Sequence, residues 1–337
     1  MKRGGEKSCV FLIVLLLIAM ITTGCQIAQG AKQDDNTVRV GYFPNLTHLP
    51  AIVAIEKGFF QEELGSAIKL ETVTFTSGGL FMEGLYTNQI DFGYTGPGPA
   101  MNVYVKNPGH EIVSGAVNGG SVFLVRSDAG INSIKDLANK RIAIPGIGNT
   151  QDLMVQKVLR EHGLGTKGKD GNVQIMTQAP ADTSTLFSQK NVDGAAVPEP
   201  WGVQITKKAG GKVLLDWDEF AWGKEAPSTV VVAKKSFSQS SPQLVEKLLK
   251  AHSRAVAYTK EHPDEAVAIF RDHIKRLTNK ELSLADIQEA SKRLEVTTSL
   301  KTEVLQEMAE TSKAAGYIPK SNIDGLVNLK YLQAIKQ

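Results

Sequence analysis

From residue 37 onward, short β-branched runs alternate with amphipathic stretches, a pattern that calls for sheets layered with helices. Runs at 38–42, 90–94, 112–117, 122–126, 141–144, 173–177, 194–197, 212–215 and 229–233 read as strands. Helix-length stretches lie among them at 49–57, 99–106, 134–139, 150–162, 182–189 and 201–209, with Gly58 and Gly163 placed as stops. This alternation predicts an α/β protein with parallel-rich sheets covered by helices on both faces. Beyond Lys235 the pattern turns nearly all helical, at 242–262, 264–274, 284–294, 302–315 and 326–336. Such a tail is poorly suited to a core of its own. The apolar strands 122–126 and 229–233 are therefore read as the two crossovers of a discontinuous, two-lobed chain. Lobe one is 37–122 plus 234–337, and lobe two is 123–233. Consecutive domains with a helical tail are the alternative.

The first 25 residues say where such a chain works. Lys2, Arg3 and Lys7 precede an unbroken apolar run, 10–21, and then Thr22, Thr23, Gly24 and Cys25. The run is short for a bilayer span, which takes roughly 20 apolar residues, and suits the core of a signal peptide. Small residues ahead of Cys25 fit a lipobox, although leucine is commoner than threonine at the position of Thr22. The expectation is a lipoprotein signal peptide, 1–24, a lipidated Cys25 and a polar tether, 25–36. An ordinary secretory signal is the alternative, and either exports the chain. The expected location is the outer face of the cytoplasmic membrane, or the periplasm. Loss of residues 1–24, with three bases and one acid, lowers the formal charge from +3 to +1. That balance gives no footing for nucleic acid. The only other cysteine, Cys9, leaves with the leader, so the body relies on its core without a disulfide.

Four strand-to-helix junctions share one design: 41–48, 94–99, 145–152 and 198–202. Each follows the carboxyl end of an expected strand, where open α/β sheets place ligands. Each is rich in Gly or Pro and leads into a helix N-terminus, whose unpaired N–H groups and partial positive charge attract anions. None contains Lys or Arg. A phosphate ligand usually recruits a cation, so a monoanion or neutral solute fits better. Gly146 and Gly148 lack the companions of a P-loop or a dinucleotide fingerprint. Asn149 and Thr150 are placed to cap a helix, with ligand contact as a second role. His48 reads equally as structural or as contacting a ligand or the facing lobe, and Tyr94 and Trp201 as core aromatics or as packing on a ligand's apolar part. Glu199 either balances a ligand's ammonium or favours the following helix N-terminus.

The block 38–45, with His48, Leu49, Pro50 and Ala51 and the segment 54–60, resembles the opening of the nitrate/sulfonate/taurine family of ABC-transporter solute-binding proteins. Segments 91–96 and 197–201 are similar to later parts of that family. The resemblance implies a type II periplasmic-binding-protein fold whose two lobes close on a solute. It implies that Asn45, Thr47, His48, Thr95 and Gly96 line one wall and that Asn149, Thr150 and Gln151 meet them, with Glu199 and Trp201 nearby and Ser121 as a further candidate. It also implies an ABC permease as partner, with the chain acting as a monomer.

The favoured function is a lipid-anchored receptor for a small organic or inorganic monoanion, an aliphatic sulfonate or taurine-like compound first. Nitrate or bicarbonate and a pyrimidine thiamin precursor, which Tyr94 and Trp201 would suit by stacking, are the sibling alternatives. Two other classes stand behind these: an enzyme of the pyrimidine-synthase type and a sensory receptor. No cofactor or metal site is expected, because the six histidines show no ligand spacing, and no enzyme is expected, because no nucleophile elbow is present either.

Overall fold

The computed structural model describes residues 36–168 and 171–335. The leader, Cys25 and the tether as far as residue 35 lie outside the described residues. The alternating pattern resolves into two mixed sheets. The first contains β1 (Thr37–Tyr42), β2 (Lys69–Thr74), β3 (Phe92–Thr95), β4 (His110–Gly119), β10 (Pro227–Lys234) and β11 (Leu294–Val296), in the order β11-β4-β10-β3-β1-β2. The second contains β5 (Ser121–Arg126), β6 (Arg141–Ile144), β7 (Gln174–Thr177), β8 (Gly194–Pro198) and β9 (Gly211–Leu215), in the order β7-β6-β8-β5-β9. The pairs β1–β3, β6–β7 and β6–β8 are parallel. β10 runs antiparallel to β3 and β4, and β5 antiparallel to β8 and β9. β5 and β10 read as continuous apolar runs because both strands are buried on both faces.

Seven helices accompany the first nine strands: α1 (Leu49–Glu56), α2 (Phe59–Leu64), α3 (Gly78–Tyr86), α4 (Pro97–Tyr104), α5 (Thr150–Glu161), α6 (Thr183–Ser188) and α7 (Trp201–Lys208). Then follow α8 (Lys235–Ser240), α9 (Pro242–Glu261), α10 (Pro263–Thr278), α11 (Leu284–Ser291), α12 (Thr302–Ala314) and α13 (Lys330–Ala334). The helical end does not form a core of its own. α9 lays Val245, Leu248, Leu249 and Val256 into the cluster that also holds Val40, Ile52 and Phe60. Its Arg254 reaches Glu62 and Glu63 of α2 at 2.8 and 2.6 Å. α12 contributes Leu305 and Met308 to a second cluster with Phe81 and Met101.

The chain passes between the sheets twice. The first passage is Gly119-Gly120, at φ 68° and 71°, a left-handed conformation that favours glycine. The second lies between β9 and β10, and the two run side by side: the Gly119 amide donates to Ala226 O at 2.9 Å. Strand 229–233 was expected to be a crossover closing lobe two, but β10 pairs with the first sheet over its whole length. The apolar run gave its burial and not its sheet. β2 and α3 were not anticipated: β2 is a half-exposed strand with a charged start, and α3 opens on Gly78-Gly79, which weakens its helical signal. The expected helix 326–336 shrinks to α13, and 134–139 is a 3₁₀ turn at Ile134–Leu137.

Candidate functional site

Six strand ends face one another across a cavity of about 100 Å³. After β1 come Phe43, Pro44, Asn45, Thr47 and His48; after β2, Phe75, Thr76, Ser77 and Gly78; after β3, Gly96 and Pro99. The second sheet answers with Pro145, Asn149, Thr150 and Gln151 after β6, Ala179, Pro180 and Ala181 after β7, and Pro198 and Trp201 at β8. Ser228 and Thr278 complete the lining. Not one of these residues is Lys, Arg, Asp or Glu. Ligand sites at strand carboxyl ends are the rule for open α/β sheets, and here both sheets obey it towards the same space.

The polar groups are set by local bonds. Thr47 Oγ1 donates to Asn45 Oδ1 at 2.6 Å, which fixes the amide and leaves its Nδ2 hydrogens for another acceptor. The Phe43 amide donates to His48 Nδ1 at 3.3 Å, so the neutral ring carries its proton on Nε2. Burial holds the His48 pKa down at about 3, so near neutrality it offers a donor without a charge. The Phe43 ring lies over His48, centroids 4.5 Å apart. Gln151 Nε2 donates to Ser121 Oγ at 2.9 Å.

Two helix N-termini open on the cavity with amides to spare. α3 starts behind Ser77, whose hydroxyl caps the Leu80 amide at 3.4 Å. α5 starts behind Asn149, whose side chain makes no capping bond although it holds the cap position. The first turn of a helix leaves its N–H groups without intrahelical acceptors. α4 differs from what loop 94–99 promised. Pro97 and Pro99 carry no amide hydrogen, and the Gly98 amide is directed to Thr150 Oγ1 at 3.4 Å.

Of the twelve expected residues, Asn45, Thr47, His48, Gly96, Asn149, Thr150, Gln151 and Trp201 line the cavity. Four do not. Tyr94 turns to the opposite face of its sheet, where its hydroxyl meets His252 Nδ1 at 3.0 Å in the core. Thr95 is wholly buried in β3. Ser121 stands behind Gln151 and holds it. Glu199 is also wholly buried: it takes Arg293 Nη1 at 2.7 Å and the Val203 amide at 3.1 Å, so of its two readings the helix N-terminus is the one made. Phe75, Thr76, Ser77 and Gly78 escaped the sequence reading together with α3. Their one signal was a serine at the cap position before a short helix. Thr278 gave none, because it arrives from the end of α10.

Among solved structures, the alkanesulfonate-binding protein SsuA from Xanthomonas axonopodis pv. citri superposes with a TM-score of 0.73 at 18% identity, covering 87% of this chain and 98% of that one. The nitrate-binding protein NrtA from Synechocystis PCC 6803 does so at 0.74 and 16%, covering 90% and 88%. The fold is thus that of the periplasmic binding proteins, with the cavity between its two sheets. A Bacillus subtilis (strain 168) protein named for binding aliphatic sulfonates is 31% identical over 80% of this chain and 79% of its own length. The taurine-binding periplasmic protein of Escherichia coli (strain K12) is 29% identical over 60% of each. The chain belongs to the NMT1-like family, whose profile matches residues 31–309. It is a binding protein and not an enzyme. Among the described residues, no helix is long and apolar enough to cross a membrane.

Proposed function

We propose that this chain is the extracytoplasmic receptor of an ABC importer for aliphatic sulfonates, held at the membrane by a lipid on Cys25. The observation that carries the ligand assignment is the charge-free lining of the cavity. A sulfonate spreads one negative charge over three oxygens. The Asn45 amide, the His48 Nε2–H, the Ser77 hydroxyl and the first-turn amides of α3 and α5 supply neutral donors from both sheets. Each helix terminus contributes about 0.3–2 kcal/mol to an anion. Phe43, Phe75 and Trp201 supply apolar surface for the carbon end. An aminosulfonate fits less well, because its ammonium would find no carboxylate: Glu199 is outside the cavity and paired with Arg293. The relatives named for aliphatic sulfonates and for taurine support a sulfonate as well.

The lobes of this reading are built on the two sheets, with β10 counted in the first. A solute that bonds to both sheets binds better when they are together, and so shifts the population towards closure. The closed monomer is then the form presented to the permease. The test is a thermal-shift series with ethanesulfonate, taurine, nitrate, bicarbonate and a thiamin-precursor pyrimidine. At about 100 times its dissociation constant, a true ligand adds roughly 2.7 kcal/mol. Ethanesulfonate is expected to give that shift. A shift with nitrate or the pyrimidine and none with any sulfonate would replace the assignment.

A further inference from the structure

The cavity is closed on one side by a seam in which loop 146–150 of the second sheet lies against α4 of the first. Asn102 Nδ2 donates to Gly148 O at 3.0 Å, and the Gly98 amide points to Thr150 Oγ1. Farther along α5, Gln156 Nε2 donates to Tyr317 OH at 3.0 Å. Three glycines of the first half stand where the second half arrives. A Cβ on Gly96 would lie 2.3 Å from Thr150 Oγ1, and one on Gly78 would lie 2.9 Å from Asn149 Oδ1. On Gly98 it would lie 2.9 Å from Gly148 O and 3.0 Å from both Asn149 C and Thr150 N. Those last three atoms are backbone and cannot turn aside. Gly78 would also strike Pro99 of its own half, so its substitution would mix two effects.

We propose that Gly98 is a positioning residue for closure: its missing side chain lets the two halves meet, and any side chain there holds the cavity open without touching the solute. Nothing else in the fold requires glycine at this position. Gly98 sits inside α4 with no positive φ, and alanine is the better helix former. Gly98 is absent from the cavity lining, whereas Gly78 and Gly96 belong to it. The penalty therefore falls on one conformation and spares the folded halves. The inference rests on the closure reading above, and its test uses no solute, so it fails separately from the ligand assignment.

On another side of the cavity, Asp182 and Lys280 pair across the halves at 2.8 Å. In a protein with Cys9→Ser and Cys25→Ser, Asp182→Cys and Lys280→Cys are joined by a short bis-maleimide, which traps the closed form each time it occurs. Gly98→Ala should slow this cross-linking, and Gly98→Val should slow it at least tenfold. The thermal midpoint of Gly98→Ala should equal or exceed that of the parent. Gly79→Ala, whose Cβ meets nothing within 4 Å, should leave the rate unchanged. An unaltered rate in Gly98→Val would overturn the proposal. So would a parent that never cross-links, or equal slowing by Gly79→Ala.

Discussion

Replacing Arg293 by alanine should cost the fold about 3–5 kcal/mol, the usual range for a buried carboxylate that loses its cation. The Glu199 side chain is fully buried, and its acceptors are met by Arg293 Nη1 at 2.7 Å and the Val203 amide at 3.1 Å. Burial pushes its pKa up and Arg293 pulls it back. Without Arg293 the carboxyl either stays charged in a dry site or takes a proton, and both are unfavourable. The same guanidinium reaches Asp216 at 3.0 Å, and the backbone around it is tied in too: Gly120 N donates to Arg293 O, and Leu46 N donates to Glu199 O. The loss would therefore fall on the joint between the sheets. Combining Arg293→Ala with Glu199→Gln should recover part of it, because the stranded charge is gone. Denaturant unfolding measures both. A loss below about 1 kcal/mol, the range of an exposed pair, would mean that this pair carries no special weight.

Acid should destabilise the protein well before its paired carboxylates titrate. Burial lowers the pKa of His48 to about 3, and of His110 and His252 to about 4, from 6.5. His273 moves in the same direction, chiefly through burial. The rings of His48, His110 and His252 are neutral when folded and protonated when unfolded across the interval between these values. The unfolded chain then binds more protons, so stability falls as pH drops below about 6.5. The limiting slope is about 1.4 kcal/mol per pH unit for each histidine, and three of them approach roughly 4 kcal/mol per unit. Glu199, whose carboxyl is raised by burial, works the opposite way as a single group. Against a total stability of about 5–15 kcal/mol, the expected result is a loss of up to about 6 kcal/mol between pH 6.5 and 5, read as a steep fall in the unfolding midpoint. Urea titrations at pH 7.5, 6.5 and 5.5 read it directly, and equal midpoints at all three would contradict it.

The sequence made the layout of the site legible because strand carboxyl ends are marked by glycine, proline and capping residues. Loops 41–48 and 145–152 bring Asn45, Thr47, His48, Asn149, Thr150 and Gln151 to the cavity, and its lining holds no Lys or Arg. What stayed hidden was the direction of side chains at strand ends. Tyr94 and Gly96 stand two residues apart, yet one packs on His252, 158 residues away, and the other borders the cavity. Glu199 looked available because its cation lies 94 residues downstream, where no sequence motif marks it. The α3 terminus was lost because Gly78-Gly79 suppresses the helical pattern, and of the two only Gly78 stands where the second half closes in. Sheet membership of β10 was beyond reach for a related reason. An apolar run reports burial on both faces and says nothing of which neighbours bury it.

The most direct test compares two solutes that differ at one end. Ethanesulfonate and taurine share the sulfonate and the two-carbon chain, but only taurine carries an ammonium. If neutral donors grip the anion and nothing in the lining balances a cation, titration calorimetry should find ethanesulfonate at least tenfold tighter. Taurine binding as tightly or more tightly would show that a carboxylate reaches the solute, and the account of a charge-free cavity would be wrong.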